Sequence, residues 1–485
     1  MLKIQAQIPT KPFPQHVSYQ AGSIKPSVYT QEQLDEIVKN FYTKWKNKYV
    51  KSDCGSGQYY VDFDEGNTIC VSEGLGYGMM ILPLMAGYDA NAKTVFDGMY
   101  KFYKAHPSSI NEYLMAWKQI DGCIDDVSAG IDAASDGDID IAYGLLLADI
   151  QWSSAGSINY FSEAKKIISA ILQDEINQQT KTVKLGDWVS STSSFYYSTR
   201  SSDFITDHFR VFACATENTV WNKVVDTCYS LINQMQTKYS VQTGLVPDFI
   251  VNTNSSAKPA PPNFLEGDTD GDYSYNSCRV PWRLATDYLL YGDERAKTSV
   301  NKINNWIKSN TGNNPDNIKS GYKLDGSTIA TWDDAAFVGP FAVGAMIDVE
   351  HQAWLDLVFE KLLVYNFTNA DYYSNTLKMM SLLILSGNYW APDCNVLSVG
   401  EIRLEESSGL SIKNATDYLE IEISDKYKTD YYEGFMYSVS GANIMNFIIE
   451  NKITKIDVSV LTPGCYIVKM RNHSNNKLSS FKIMR

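Results

Sequence analysis

Apolar residues recur at helical spacing through most of the first 390 residues, and the stretches they define follow one another in pairs. Thr30-Gln-Glu-Gln33 has the form of a capping box, in which the Thr hydroxyl and the Gln side chain satisfy free backbone N–H groups. It opens an amphipathic stretch that runs to about Val50. Glu73 to about Ala86 and Asn91 to about His106 come next, and further helices are predicted at about 138–151, 158–176, 202–214, 217–237, 279–290, 293–309, 332–347, 350–364 and 370–386. The total is roughly twelve, joined by turns rich in Gly, Asn, Asp and Ser with little strand between them. Helices in that number can close as six hairpins into a mainly α, double-layered α/α barrel with a packed inner ring and one open end. A superhelical solenoid would give a similar string, but no repeat of fixed period is present, so closure is expected.

The pattern changes near Asp393. From Leu397 the chain reads as short alternating runs: Glu401-Ile-Arg-Leu-Glu, Tyr418-Leu-Glu-Ile-Glu-Ile, Phe435-Met-Tyr-Ser-Val, Lys455-Ile-Asp-Val-Ser-Val, Cys465-Tyr-Ile-Val-Lys-Met and Phe481-Lys-Ile-Met. These suit a small β-sandwich with hairpin turns at Ser440-Gly-Ala-Asn and Thr462-Pro-Gly. The expected division is an N-terminal extension over 1–25, a helical barrel over 26–392 and a sandwich over 398–485.

Composition narrows the partners. With 56 acidic against 42 basic residues and a formal charge of −14, the chain repels phosphate backbones and anionic lipid. A polycation or a neutral polymer is the easier partner, and ten Trp and 32 Tyr are well suited to stacking on sugar rings in a wet groove, although core packing accounts for most of them. No apolar run reaches membrane-spanning length. Met1-Leu-Lys-Ile-Gln-Ala-Gln lacks the apolar core of a secretory signal, so such a signal is expected to have been trimmed or never present. Eight scattered Cys without a Cys-x-x-Cys pair or a nearby His cluster argue against zinc. Most are expected to be buried thiols, with some disulfides open to an exported chain.

Two acidic stretches carry the chemistry. Ala134-Ser-Asp136-Gly-Asp138-Ile-Asp140 places three carboxylates at alternate positions against an apolar helix that continues past Asp149 to Trp152. A helix start favours negative charge, but one cap needs a single Asp. Asp136, at the mouth of the helix, is the functional candidate, while Asp140 and Asp149 read as ordinary helix surface. Val71-Ser-Glu73-Gly-Leu-Gly-Tyr77-Gly-Met-Met80 sets a carboxylate before alternate glycines, which either let backbone approach a bulky ligand or let helices pack closely.

At these residues the chain resembles glycoside hydrolase family 8. Ser72-Glu73-Gly-Leu-Gly-Tyr-Gly-Met is similar to that family's acid motif and Ala134 through Trp152 to its signature helix, with Gly144 where Ser or Ala is preferred. Arg200-Ser-Ser-Asp203-Phe-Ile-Thr-Asp-His208-Phe-Arg210 and Asn276-Ser-Cys-Arg279-Val-Pro-Trp282-Arg283 agree with it, and together these segments cover about residues 10 to 390. The resemblance implies an (α/α)6 barrel, an inverting mechanism on β-1,4-linked polysaccharide, and no metal or organic cofactor.

Inversion needs a protonated carboxyl beside the leaving oxygen and an ionised one across the sugar, roughly 6.5–9.5 Å away so that a water fits between them. By the resemblance Glu73 is the acid, with a pKa that burial and the nearby Asp136 can raise. Asp136 then holds the sugar at the cleavage point. In much of the family an Asp base stands three residues before the Arg of Arg-Val-Pro-Trp, a position held here by Asn276. The resemblance implies a subfamily in which a Glu on a nearby loop is the base. Within Asn263-Phe-Leu-Glu266-Gly-Asp268-Thr-Asp270-Gly-Asp272, Glu266 is the choice, Asn276 helping to hold the water and Arg279 orienting the loop or a carboxylate. Asp268, Asp270 and Asp272 are rival bases that otherwise read as solvated turn acids, and their spacing lacks the Gly and closing Glu of a calcium loop.

Trp117, in Tyr113-Leu-Met-Ala-Trp-Lys118, matches a family position near the cleft, and Tyr77, Tyr275 and Trp332 are further stacking candidates, while Trp152 and Trp282 suit the core. Asp203 and His208 either line the site or close a buried hydrogen-bond network. At the C terminus, Tyr437-Ser-Val-Ser-Gly, Ile456-Asp-Val-Ser-Val-Leu-Thr-Pro-Gly-Cys465-Tyr-Ile-Val-Lys and the closing Ser-Ser-Phe-Lys-Ile resemble the sorting domain of type IX secretion in Bacteroidetes. This implies export machinery as a partner and a secreted or cell-surface location. The expected activity is an endo-glycanase, with chitosan slightly preferred over β-glucan because an acidic surface and an acid-rich loop attract protonated amines. The alternative is a carbohydrate-binding surface protein on an inactive barrel, favoured if Glu266 points into solvent and no second carboxylate faces Glu73.

Overall fold

The computed structural model describes residues 9–394 without interruption and, beyond them, 397, 402–403, 410–414, 418–423, 431–438, 442–449, 451–462, 465–473 and 478–484. The chain divides into a helical unit that ends at Cys394 and a strand-rich unit beyond it.

Among the described residues the helical unit holds twelve α-helices: α1 (Gln31–Tyr49), α2 (Ser72–Met85), α3 (Ala92–Ala105), α4 (Ser135–Trp152), α5 (Tyr160–Ala170), α6 (Thr206–Ala215), α7 (Val220–Lys238), α8 (Val280–Tyr291), α9 (Glu294–Asn310), α10 (Ala335–Ala345), α11 (Gln352–Val364) and α12 (Tyr372–Leu385). Their composition alternates. The odd-numbered helices are amphipathic: α1 buries Leu34, Val38, Phe41, Tyr42, Trp45 and Tyr49, one stripe at helical spacing. The even-numbered ones are covered on nearly every side, and every residue of α4 and of α10 is buried, the four Asp of α4 included. A helix without a face on solvent must be enclosed. The even helices therefore form the inner ring, each against the next, with α12 packing on α2 to close it. The result is the expected (α/α)6 barrel. The capping box predicted at Thr30 is present at the start of α1.

The glycines near Glu73 face packed protein. A Cβ on Gly76 would stand 2.8 Å from the Asp140 Cβ, and one on Gly144 would stand 2.9 Å from the Met79 backbone, so they let α2 and α4 approach. Close helix packing accounts for them, rather than ligand approach. Asp140 and Asp149, read as helix surface, are both buried. Trp152 and Trp282 are in the core.

Short strands join the helices: β1 (Val50–Lys51) with β2 (Tyr60–Val61); β3 (Thr68–Val71), β4 (Lys118–Ile120) and β5 (Ile124–Asp125); and β6 (Ser198–Arg200), β7 (Phe249–Val251) and β8 (Lys258–Pro259). All pair antiparallel. Two disulfides, Cys54–Cys123 and Cys214–Cys394, take four of the eight cysteines, and Cys70, Cys228 and Cys278 are buried thiols. The expectation that most cysteines are thiols is corrected accordingly, and the Cys465 side chain lies outside the described residues. No described group of acids, His or Cys has the makings of a metal site, and no described helix is long and apolar enough to cross a membrane.

The second unit has two four-stranded antiparallel sheets. One is ordered β14 (Ile453–Asp457), β11 (Tyr418–Ile423), β10 (Leu410–Asn414), β9 (Ile402–Arg403). The other is ordered β13 (Asn443–Ile449), β12 (Tyr432–Ser438), β15 (Cys465–Asn472), β16 (Leu478–Met484). Leu419, Ile421 and Ile423 of the first share a core with Met436, Val468 and Met470 of the second, as period-two alternation requires of a sandwich. The turns foreseen at Ser440-Gly-Ala-Asn and Thr462-Pro-Gly fall at residues 439–441 and 463–464, outside the described residues, as do residues 1–8 with the start of the N-terminal extension.

Candidate active site

The N-terminal ends of the inner helices meet at one mouth of the barrel. Glu73 is the second residue of α2 and Asp136 the second of α4. Arg200 and Asp203 precede α6, Asn276 and Arg279 precede α8, and Asp371 caps α12. Their positive dipole ends favour carboxylates there. Burial then selects the side chains that face the opening: Glu73 is the one residue of α2 that is not buried, and Tyr373 is the one residue of α12. A cavity of about 480 Å³ results, lined by Phe63, Ser72, Glu73, Trp117, Asp136, Arg200, Glu266, Tyr275, Asn276, Arg279, Asp371 and Tyr373 among others.

Glu73 and Glu266, 193 positions apart in sequence, are joined across this cavity by a chain of hydrogen bonds. Arg279 Nη1 donates to Glu73 Oε2 and, at 3.2 Å each, to the Tyr77 hydroxyl and Asp136 Oδ2. Arg279 Nη2 donates to Asn276 Oδ1 at 3.1 Å, and Asn276 Nδ2 donates to Glu266 Oε2 at 2.7 Å. The other oxygen of Glu266 accepts from Arg200 Nη2 at 2.7 Å. Each Glu266 oxygen keeps a lone pair for a water proton.

A second charged layer lies one helical turn below. Asp140, four residues after Asp136, accepts from Arg283 at 2.7 and 3.2 Å, and Arg283 is four residues after Arg279. Asp140 also pairs with His208 Nε2 at 3.1 Å, while His208 Nδ1 meets Asp207 at 3.0 Å and the ring stacks on Tyr143. Burial would push the imidazole down, but Asp207 and Asp140 together hold it above its ordinary value. The layer fixes the arginine helix under the cleft.

The two glutamates sit in different environments. Although it faces the opening, Glu73 is only 17% exposed, and the loss of hydration pushes its carboxyl up to about 7; Arg279 opposes that and the nearby Asp136 adds to it. Glu266 is nearly half exposed. A group that keeps its proton near neutrality therefore faces the same cavity as a partly hydrated carboxylate with two cationic or amide donors.

Of the sequence candidates, Glu73, Trp117, Asp136, Glu266, Tyr275, Asn276 and Arg279 are brought together. Glu266 is nearly half exposed but lines the same cavity as Glu73, so a second carboxylate does face Glu73 and the condition for an inactive barrel is not met. Tyr77 is fully buried with its hydroxyl on Arg279, so its ring is not available for stacking on a sugar. His208 closes the buried network described above. Asp203 is also buried, its carboxyl pushed up to about 7 by burial and by Asp136, and it accepts from the Ser202 hydroxyl at 2.8 Å. Trp332 is exposed at the rim, its indole N–H donating to the Tyr275 hydroxyl at 3.2 Å. Asp270, read as a solvated turn acid and rival base, is buried beneath the loop, and Asp268 and Asp272 do not line the cavity. Arg200, Phe63, Asp371 and Tyr373 were not singled out from sequence. For Arg200 the available signal was its place in the Arg200–Arg210 segment, opposite an acid-rich loop.

Comparison with known proteins decides the family: residues 29–387 match the model for glycosyl hydrolases family 8. The chain belongs to that family. A "Beta-glucanase" of Niallia circulans is 48% identical over 382 residues, covering 79% of this chain and 92% of the relative. An "Endoglucanase" of Bacillus sp. (strain KSM-330) is 40% identical, covering 79% and 82%. The solved beta-1,3-1,4-glucanase of Paenibacillus sp. X4 superposes with a TM-score of 0.76 at 48% identity, covering 79% of this chain and all of that one. The protein is thus a glycoside hydrolase, and the cavity between Glu73 and Glu266 is the opening of a family 8 barrel. Residues 415–484 match a secretion system C-terminal sorting domain, which indicates secretion or attachment at the cell surface.

Proposed function

We propose that this enzyme is an inverting endo-hydrolase of β-1,4 linkages in uncharged β-glucan, with Glu73 as general acid and Glu266 as general base. The observation that carries the reading is the pair of glutamates facing one cavity, one holding its proton up to about 7 and the other bonded by Arg200 and Asn276. Glu73 gives its proton to the leaving glycosidic oxygen. Glu266 takes one proton from a water, whose oxygen attacks the anomeric carbon from the face opposite the departing sugar, and the configuration inverts. Asp136, between the two, holds the sugar hydroxyls at the cleavage point, and Trp117 with Tyr275 offers flat faces to the rings on either side.

Neutral glucan is favoured over chitosan by the charge balance of the cavity. With Glu73 holding its proton, Asp136 is matched by Arg279 and Glu266 by Arg200, so Asp371, the cap of α12, is the one further carboxylate among the described residues of the lining to attract protonated amines. The preference for chitosan rested on the acidic surface and on the acid-rich loop, and in that loop Asp270 turns inward to the loop's own backbone. The glucanase names of the relatives point the same way. Export by machinery that reads the C-terminal domain completes the proposal.

The test is reducing-end release from lichenan, carboxymethyl cellulose and chitosan by the wild type, Glu73→Gln and Glu266→Gln, with NMR of the first-formed anomer. Faster release from a glucan, an α-anomer product and loss of activity in both variants are expected. Chitosan as the best substrate would overturn the substrate assignment, a β-anomer the inversion, and an unchanged rate in either variant that residue's role.

A further inference from the structure

The wall that carries the base is made of two turns, and each is closed from behind by one buried aspartate. Asp270 accepts from the backbone N–H of Leu265 at 2.7 Å, of Glu266 at 3.1 Å and of Gly267 at 3.0 Å, which is the turn that presents Glu266. Asp248 accepts from the backbone N–H of Ser274 at 3.0 Å, Asn276 at 3.3 Å and Ser277 at 2.7 Å, and from the Ser277 hydroxyl at 2.6 Å, which is the turn that presents Asn276 and leads into Arg279. The two turns share an anchor. Asp248 N–H donates to the Asp272 carbonyl at 2.8 Å and Phe249 N–H to that of Asp270 at 2.9 Å. On the other side, Ser201 N–H donates to the Asp248 carbonyl at 2.9 Å and Arg200 pairs with Phe249 across β6 and β7. One dipeptide therefore joins the carrier of Glu266 to the carriers of Asn276 and Arg200, the two side chains that hold its carboxylate.

We propose that Asp248 and Asp270 are positioning residues of the hydrolytic reaction, holding Glu266 and its two donors at one fixed separation from each other. This rests on the reading of Glu266 as base. Neither aspartate lines the cavity, so neither touches substrate, and each acts through the turn it closes. A carboxylate suits both places because the backbone groups that face it are all donors. At Asp270 an amide would turn its own hydrogens toward backbone N–H groups of the Glu266 turn, and at Asp248 toward that of Asn276, replacing an acceptor by a donor at each turn.

The experiment compares Asp270→Asn and Asp248→Asn, each alone and in the Glu266→Gln background, with Ser277→Ala as a milder change that removes one donor to Asp248. kcat and KM are read on lichenan, with circular dichroism to confirm folding. A misplaced base costs up to about 100-fold, so kcat is expected to fall about 10- to 100-fold in each Asn variant and less in Ser277→Ala, with KM changed less than about threefold. In the Glu266→Gln background the same changes should cause no further loss, since the group they position is already disabled. Wild-type kcat in the folded Asn variants overturns the proposal, and so do losses that multiply with that of Glu266→Gln. If Asp248→Asn does not fold, Asp270→Asn and Ser277→Ala decide by the same criteria. Wild-type kcat in Glu266→Gln alone instead removes the base assignment, a distinguishable failure that takes the inference with it.

Discussion

Asn276 donates an amide hydrogen to Glu266 Oε2 at 2.7 Å while its carbonyl oxygen accepts from Arg279 at 3.1 Å, so a side chain that cannot take up a proton stands one hydrogen bond from one that can. Base catalysis contributes about 10²- to 10⁴-fold, and Glu266→Gln should lose kcat in that range. Converting Asn276 to Asp in that variant puts a carboxylate next to the vacated position, beside Arg279. The double variant Glu266→Gln/Asn276→Asp is therefore expected to recover about tenfold in kcat on lichenan, and no recovery would show that the water is held nearer Glu266 than this geometry implies.

Glu73 must carry a proton to act, and burial has pushed its carboxyl up to about 7. The descending limb of the activity profile should thus lie near that value, activity falling as pH rises through it, while the need for an ionised Glu266 sets the limb on the acid side. Asp136 contributes to the rise as a like charge, so Asp136→Asn, among its residual activity, moves the descending limb of kcat/KM to lower pH. A limb that stays in place in Asp136→Asn would mean that burial alone sets the acid.

How much of this was legible in the sequence depended on the range of the interaction. The helices were visible because even-numbered ones such as α4 and α10 carry long apolar runs and odd-numbered ones carry a stripe, both properties of consecutive residues. Strands β1 to β8 are two to four residues long, too short for alternation to register. β13 escaped because Asn443 and Asn446 interrupt it. Asp140 was misread as surface because its partners, Arg283 and His208, are far along the chain. The matched spacing of Asp136 with Asp140 and of Arg279 with Arg283 was the available clue. Arg200 and Asp248 had none so local, since what they hold is brought to them only by barrel closure.

Asp138 and Glu175 are both fully buried, and burial, with the charge of nearby carboxylates, that of Asp138 on Glu175 among them, pushes both carboxyls well above their usual range. Such a pair keeps a proton that the unfolded chain releases near pH 4. Between that pH and neutrality the folded state binds more protons than the unfolded one, so stability falls as pH rises, by about 1 kcal/mol per pH unit for one retained proton. Glu175→Gln supplies an amide hydrogen in place of that proton. Its Tm is expected to exceed the wild type's at pH 8 and to match it near pH 4.5; parallel Tm curves would sink the shared-proton account.

The helical unit has its own closed core, ends at Cys394 with a disulfide to Cys214, and contains the whole of the family match. The sandwich beyond it matches a sorting domain, and the described residues that line the cavity all belong to the helical unit. Deleting residues 400–485 should therefore leave kcat/KM on soluble lichenan within about twofold while the chain stays inside cells that export the full-length form, because a sorting signal acts on passage and not on chemistry. Sandwiches with this alternation also bind polysaccharide, and the same deletion separates the two roles. A truncated enzyme that still reaches the medium but no longer sediments with insoluble β-glucan would assign the domain to substrate attachment instead.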